Sequence, residues 1–199
     1  MVDGTQSGGI PKAMEIVAEE AIADLSDLWI VRDTNGAGPF DTFYQLPAVS
    51  LSTGDFFYIY GGTTTDTSMT ALGFPDADVS GAVVNSILNW NGDDILALAT
   101  PNGTFTDGTD ISQFDVVDSF GVVGQGDTNF APDSISYRIP GTAANPAGVT
   151  DAGNFDITAY SDVSLQATFG TYVVPEPGAY ALLAGICGLM SVMLKRRRA

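Results

Sequence analysis

Short apolar runs alternate with clusters of glycine, asparagine, aspartate, proline and threonine along most of the chain. The runs are rich in aromatic and β-branched residues, and some show the two-residue period of a half-buried strand. In residues 12–17, for example, Met14 and Ile16 share one face and Glu15 lies on the other. The pattern predicts strands over residues 12–17, 28–31, 40–46, 56–60, 95–98, 114–117, 135–139 and 155–160. Many short strands separated by turn residues predict an all-β, antiparallel sandwich.

Three stretches do not fit a simple strand pattern. Residues 15–25 contain good helix formers, but the sequence from Asp24 to Ser26 would end a helix quickly. We therefore expect at most a turn there. Residues 141–153 are small and polar, which predicts a long surface loop. Residues 163–173 predict either a last edge strand or a spacer, and the sequence leaves these two alternatives open.

The end of the chain, residues 174–199, joins three signals in a fixed order. Two prolines make its start extended and exposed. An uncharged run from Ala179 to Leu194 follows, and as a helix it would span roughly 24 Å, close to the ~30 Å hydrocarbon core of a bilayer. Basic residues then end the chain and predict a cytoplasmic end for a membrane helix over residues 179–194. The prolines and the basic cluster belong to the motifs Val174-Pro175-Glu176-Pro177 and Lys195-Arg196-Arg197-Arg198.

This tail resembles the PEP-CTERM sorting signal of Gram-negative bacterial envelope proteins. The resemblance implies processing by an exosortase, a membrane enzyme that recognises the Pro-Glu-Pro motif and removes the helix. The protein is then a substrate that is exported, held transiently in the inner membrane and released to the cell surface or extracellular matrix, where extracellular polysaccharide is a candidate partner. One alternative is a single-pass inner-membrane protein whose helix is its permanent anchor.

Charge and composition narrow the possible functions. All 24 acidic residues precede Tyr180, and the formal net charge is −17, so a nucleic-acid partner is not expected. The chain has no histidine, and its one cysteine, Cys187, lies in the apolar run. Zinc chemistry and Ser-His or Cys-His catalysis are therefore excluded, and we expect no cofactor and no enzyme activity. The remaining enzymatic alternative is a metal-dependent hydrolase with a carboxylate-only site.

The beginning of the chain lacks the leader that export requires. Residues 1–9 contain neither a basic segment nor an apolar one. Either the gene begins upstream of Met1, which we expect, or the protein is not exported.

Three stretches of the body, with their neighbours, resemble bacterial lamin-tail-type domains. They are residues 11–16 with 23–26, residues 88–97 and residues 115–124. Residues 50–56 partly match a further motif of these domains. The resemblance implies an immunoglobulin-like β-sandwich over residues 1–162, in a class of secreted and surface proteins. The family carries one more strand before Gly8-Gly9-Ile10-Pro11, so we expect this body to lack its first strand. Residues 91–94 predict a tight hairpin turn at Asn91-Gly92.

Two weaker candidates concern binding. Asp76, Asp78 and Ser80 have the opening spacing of a calcium loop, but Ile87 stands where a bidentate glutamate is needed, so we expect an acidic loop and no metal site. The aromatic residues predict either a sugar-stacking platform or core packing, and alternation along the strand favours the core for most of them. They are Trp29, Trp90, Phe56, Phe57, Tyr58 and Tyr60.

Overall fold

Ten strands in two sheets build this protein's described part. This computed structural model describes residues 1–6, 10–36, 40–61, 69–76, 81–103, 113–121, 131–142, 144 and 154–174. The protein is an all-β sandwich, as the sequence predicts. The strands are β1 (Val2–Gln6), β2 (Ile10–Val17), β3 (Trp29–Asp33), β4 (Thr42–Gln45), β5 (Phe56–Tyr60), β6 (Ala82–Val84), β7 (Ile95–Pro101), β8 (Phe114–Phe120), β9 (Ser134–Arg138) and β10 (Phe155–Ala159).

The larger sheet has the strand order β10-β9-β1-β2-β5-β6, and the smaller has the order β4-β3-β7-β8. All pairs are antiparallel except β5 with β6. β1 is therefore an interior strand of the larger sheet, between β2 and β9. β1 is short, and it pairs with β9 where Val2 lies opposite Ile135.

The main core lies between the two sheets. Inward side chains of the smaller sheet, such as Ile30 and Leu96, meet inward side chains of the larger sheet, such as Phe57 and Ile59. The segment before β7 adds Trp90, which is completely buried and lies edge-on to Phe120 at 5.6 Å between ring centroids. Alternation along the strands produces most of this layer, because successive side chains point to opposite faces.

The outer face of the larger sheet is also covered. Helix α1 (Asp162–Thr168) buries Leu165, and Phe169 follows it against Tyr58. The side chain of Ser161 caps the helix by accepting the backbone N–H of Ser164. The segment for which an edge strand or a spacer was expected thus contains a helix, because apolar residues spaced by four bring Leu165 and Phe169 onto one helical face. Short 3-10 turns occur at Leu25–Asp27, Thr34–Gly36 and Ser86–Leu88.

All eight predicted strands are present, with ends that differ by a few residues, and residues 18–24 contain no helix. Two strands had no sequence prediction. β6 is only three residues long, and β1 contains Asp3, Gly4 and Gln6, which are poor strand formers. The loop of 141–153 lies mostly outside the described residues.

The predicted hairpin at Asn91-Gly92 is wrong. Gly92 does adopt the expected positive φ of 79°, but the loop carries the chain from the larger sheet to the smaller one, so β6 and β7 do not pair. Asp94 holds this loop. Its carboxylate accepts the backbone N–H of Asn35 at 2.7 Å and that of Asn91 at 3.3 Å.

A buried ion pair joins one end of β1 to the rest of the sandwich. The ammonium of Lys12 donates to Asp3 Oδ1 at 3.0 Å and also to the carbonyl oxygen of Trp90, and both charged residues are about 95% buried. Asp3 Oδ2 accepts the N–H of Asp133 at 3.3 Å, and Trp90 Nε1 donates to the carbonyl of Val2 at 3.2 Å. Burial raises the pKa of Asp3, and Lys12 partly offsets this rise. Four chain segments therefore meet at one polar junction.

Replacing Lys12 with methionine should destabilise the protein strongly, because it leaves Asp3 buried without its counter-ion. Removing one partner of such a pair typically costs about 3–5 kcal/mol. The double variant Lys12→Met, Asp3→Asn removes both charges while keeping an oxygen acceptor for Asp133, and we expect it to regain most of the loss. Urea denaturation measures all three proteins. A loss below about 1 kcal/mol for Lys12→Met, the range of an exposed pair, would contradict this account of the junction.

Candidate functional site

A cleft of about 310 Å³ opens at the side of the sandwich where β8 of the smaller sheet lies near β2 and β9 of the larger one. Its apolar floor comes from the inward side chains of both sheets, including Met14, Leu98 and Phe120. Its polar wall comes from strand ends and from the segment after α1. An apolar floor with a few placed polar groups is typical of a binding cleft.

An ion pair lies on the inner wall of the cleft. Arg138, at the end of β9, donates to Asp118 of β8 and so bridges the two sheets. The guanidinium carbon of Arg138 also lies 4.6 Å from the ring centroid of Phe155. Asp118 faces inward because the register of β7 with β8 shifts between Leu98 and Ala99, which leaves Val117 bulged and 38% exposed.

Two glutamates lie on the outer wall. Glu15 of β2 accepts the backbone N–H of Gly170, and Glu19 accepts the hydroxyl of Tyr172 at 2.9 Å. Burial raises the pKa of Glu15, and the hydrogen bond from Gly170 partly offsets this rise. The pKa of Tyr172 is raised by burial and further by its bond to Glu19. These contacts fix the chain after α1 against the beginning of the sandwich.

Ser136 adds a polar atom that has no partner within the described residues. Its hydroxyl is buried, and the residue is 2% exposed at the edge of the cleft. A buried hydroxyl without a partner is unfavourable by roughly 1–3 kcal/mol, so a polar group that entered the cleft would find a partner here.

The described lining of the cleft combines an apolar floor with a few charged and polar side chains. Within the described residues, no three histidine, cysteine, aspartate or glutamate side chains are placed to hold a metal ion. The paired charges of Arg138 and Asp118 leave Glu15 and Glu19 as the net charge of the cleft, so the outer wall favours a neutral or cationic group.

Most of the segment for which a sorting signal is predicted lies outside the described residues, which include only Val174 of it. The motif residues Pro175, Glu176 and Pro177, the run from Ala179 to Leu194 and the basic cluster 195–198 fall there. Among the residues that the structure describes, no helix is long and apolar enough to cross a membrane.

Of the calcium candidates, only Asp76 is described. Its carboxylate accepts the hydroxyl of Thr70 at 3.0 Å in an exposed turn. Asp78 and Ser80 lie outside the described residues.

The structure separates the aromatic residues that the sequence grouped. Phe57 and Trp90 are in the main core, and Tyr58 and Tyr60 are buried on the opposite face of the larger sheet, so core packing is confirmed for these four. Phe56 is partly buried beside Tyr58. Trp29 lies elsewhere, on the outer face of the smaller sheet. There its ring is 5.5 Å from that of Phe114, which stacks on Phe43 at the same distance.

Sequence reasoning missed the cleft because distant strands form it. Glu15, Asp118 and Arg138 lie on three different strands, and only the order and packing of the strands bring them together. One signal was present. The run 114–120 has aspartates three residues apart, at 115 and 118, which a regular two-residue period would place on opposite faces.

Replacing Glu15 with glutamine should change how stability depends on pH. The pKa of the Glu15 carboxyl is raised in the folded protein, so folding favours the neutral form. The stability of the wild type therefore falls as the pH rises from the unfolded pKa of about 4.3 through the folded pKa. Glutamine keeps an acceptor for Gly170 and cannot ionise. The stability of Glu15→Gln relative to wild type should therefore increase between pH 4 and pH 7, by about 1.4 kcal/mol for each unit of the raised pKa.

Denaturant titrations at both pH values measure this difference. Glu20→Gln, which removes an exposed carboxylate from the turn after β2, controls for the change in net charge. Parallel pH profiles for Glu15→Gln and wild type would show that Glu15 is not desolvated.

Comparison with protein-family models and with curated proteins finds no match to this chain, so the fold and the site rest on the chain's own residues.

Proposed function

We propose that this protein is an exported, non-enzymatic envelope protein whose C-terminal segment is recognised and cut by an exosortase. The observation that carries the proposal is the order of the signals in residues 174–199. A rigid Pro-Glu-Pro, an uncharged run long enough for a helix near membrane thickness and a terminal basic cluster follow one another without interruption. The histidine-free, acidic body agrees with a role as a substrate.

The position of the tail relative to the core supports this proposal. Phe169 and Tyr172 are the last buried side chains of the described chain, and Val173 is 74% exposed. The motif therefore begins directly after the last residue that is anchored to the sandwich. Cleavage beyond Val174 would remove none of the described core, so the released protein would keep its fold.

We further propose that the sandwich is of the immunoglobulin-like, lamin-tail type. Its motifs fall on structural elements: residues 11–16 lie in β2, residues 88–97 lead into β7 and residues 115–120 lie in β8. Their spacing along two packed sheets is compatible with that type. Surface and matrix location follows from the same resemblance.

Two other functions predict different outcomes. A permanently anchored inner-membrane protein would keep residues 179–194 in the mature form. A carboxylate-dependent hydrolase would need a metal, and its melting temperature would rise when calcium or manganese is added.

Cells that contain an exosortase should convert the full-length protein to a shorter form that lacks residues 179–199. The variant Pro175→Ala, Pro177→Ala should stay full-length and membrane-bound, because the recognised rigid segment is lost. Pro140→Ala, at an exposed proline of the body, is the matched control and should be cut normally. Mass spectrometry of the purified protein measures the result. Equal masses in cells with and without the enzyme would refute the sorting proposal.

We also propose that the aromatic outer face of the smaller sheet contacts extracellular polysaccharide. Trp29, Phe43 and Phe114 form a cluster there, with Trp29 and Phe43 partly exposed. Rings on an open sheet face can stack against sugars, whose C–H faces are apolar.

The substitution Trp29→Ala should reduce retention of the protein on isolated envelope polysaccharide by roughly tenfold, about 1.4 kcal/mol of lost stacking. Trp29→Phe keeps an aromatic ring and should retain most of the binding. Co-sedimentation with the polysaccharide measures both. Equal retention of wild type and Trp29→Ala would show that this face is not the contact.

A further inference from the structure

Three side chains of complementary chemistry meet at the polar junction of the fold. The nitrogen of Lys12 lies 3.0 Å from Asp3 Oδ1 and 3.4 Å from Oδ1 of Asn91. It also donates to the carbonyl of Trp90, the residue directly before Asn91. An amine, a carboxyl group and a side-chain amide therefore converge on one nitrogen. These are a nucleophile, a group that can accept and return its proton, and a carbonyl carbon that the nucleophile can attack.

The fold holds this arrangement from three sides. Lys12 and Asp3 lie directly opposite each other where β2 pairs with β1, and both are about 95% buried. Trp90 is completely buried, and its Nε1 donates to a carbonyl of β1 at 3.2 Å. The backbone N–H of Asn91 donates to Asp94 Oδ2 at 3.3 Å, which holds the start of the loop. Groups that a fold keeps in such contact react far faster than the same groups free in solution.

Burial also favours the protonation state that the reaction needs. It raises the pKa of Asp3, and the bond with Lys12 partly offsets this rise. An ammonium has no free electron pair, so it must lose a proton before it can attack a carbonyl carbon. Asp3 is the neighbouring acceptor for that proton. The transfer replaces two buried charges with two neutral groups, which reduces the cost of keeping them away from water.

We propose that the folded protein joins Lys12 to Asn91 by an amide bond between their side chains. Lys12 Nζ gives one proton to Asp3 and bonds to Cγ of Asn91, and the Cγ–Nδ2 bond then breaks. The Asp3 carboxyl passes its proton to the departing Nδ2 and takes a second proton from Nζ. Nδ2 leaves as ammonia, and Asp3 stays protonated beside the new amide. The reaction consumes no oxidant, reductant or cofactor.

The position of Asn91 makes the reaction effectively one-way. Asn91 is exposed, so ammonia diffuses into the solvent and does not stay at the site. The new bond ties β2 of the larger sheet to the connection between β6 and β7, which leads to the smaller sheet, and its two residues are 79 positions apart in the chain. A covalent tie across so long a loop strongly restricts the unfolded chain. This inference does not depend on how the C-terminal segment is processed.

Peptide mass spectrometry of the full 199-residue chain, purified in a mild nonionic detergent, tests this bond. A protease that cuts before aspartate separates residues 3–23, which contain Lys12, from residues 78–92, which contain Asn91. We expect the two peptides as one joined species, about 17 Da lighter than their sum because ammonia is lost. Two separate, unmodified peptides would overturn the proposal. So would a loss of ammonia confined to residues 78–92, because Asn91 would then have closed a ring onto Gly92.

Two asparagine substitutions measure what the bond contributes to stability. Asn91→Ala removes the reacting amide and keeps the contact of Lys12 with Asp3, so its melting temperature should fall by about 10 °C relative to the wild type. Asn89→Ala changes an exposed asparagine on the other side of Trp90, and it should melt close to the wild type with its peptides still joined. Equal melting temperatures for Asn91→Ala and the wild type would overturn the proposal.

The substitution Asp3→Asn tests the proton acceptor. It keeps an oxygen for the N–H of Asp133 but cannot take a proton from Lys12, so the two peptides should stay separate. Joined peptides in this variant would overturn the role assigned to Asp3. The denaturation comparison of Lys12→Met with its double variant is made in the Asn91→Ala background, where the ion pair cannot be consumed.

Discussion

The buried contact of Lys12 with Asp3 is the interaction on which the arrangement of the sandwich depends. Lys12 belongs to β2 and Asp3 to β1, and the pair also binds the carbonyl of Trp90 and the N–H of Asp133. It therefore joins the interior strand β1 to two of the connections between the sheets, the one from β6 to β7 at Trp90 and the one from β8 to β9 at Asp133. Two charges that are removed from water are stable only when nearly all their hydrogen bonds are made, so this contact admits one arrangement of the four segments.

The beginning of β1 belongs to two features. Asp3 takes part in the polar junction with Lys12, Trp90 and Asp133. Met1, two residues earlier, lines the cleft beside Ser136, whose hydroxyl is buried without a partner among the described residues. The beginning of β1 thus contributes both to a buried ion pair and to the cleft. Glu15, Glu19 and Tyr172 then link this cleft to the segment from which the C-terminal tail departs.

Local sequence pattern was enough to predict the eight strands that carry strong apolar or aromatic alternation. It failed for β1, where Asp3 and Gly4 look like loop residues, because their place in the sheet depends on a distant lysine. It failed for α1 because a seven-residue helix has only two turns of periodicity, which a short strand can imitate. The cleft was not predictable either, since Asp118 and Arg138 meet only because the two sheets pack against each other. By contrast, the prediction of a sorting signal uses contiguous residues and so needs only local sequence, and all of those residues except Val174 lie outside the described part of the chain.

The C-terminal peptide of the mature protein, identified by mass spectrometry of protein from its native cells, tests the central claim most directly. The account predicts a protein that ends beyond Val174 and lacks residues 179–199. A mature protein that keeps residues 179–199 would contradict it.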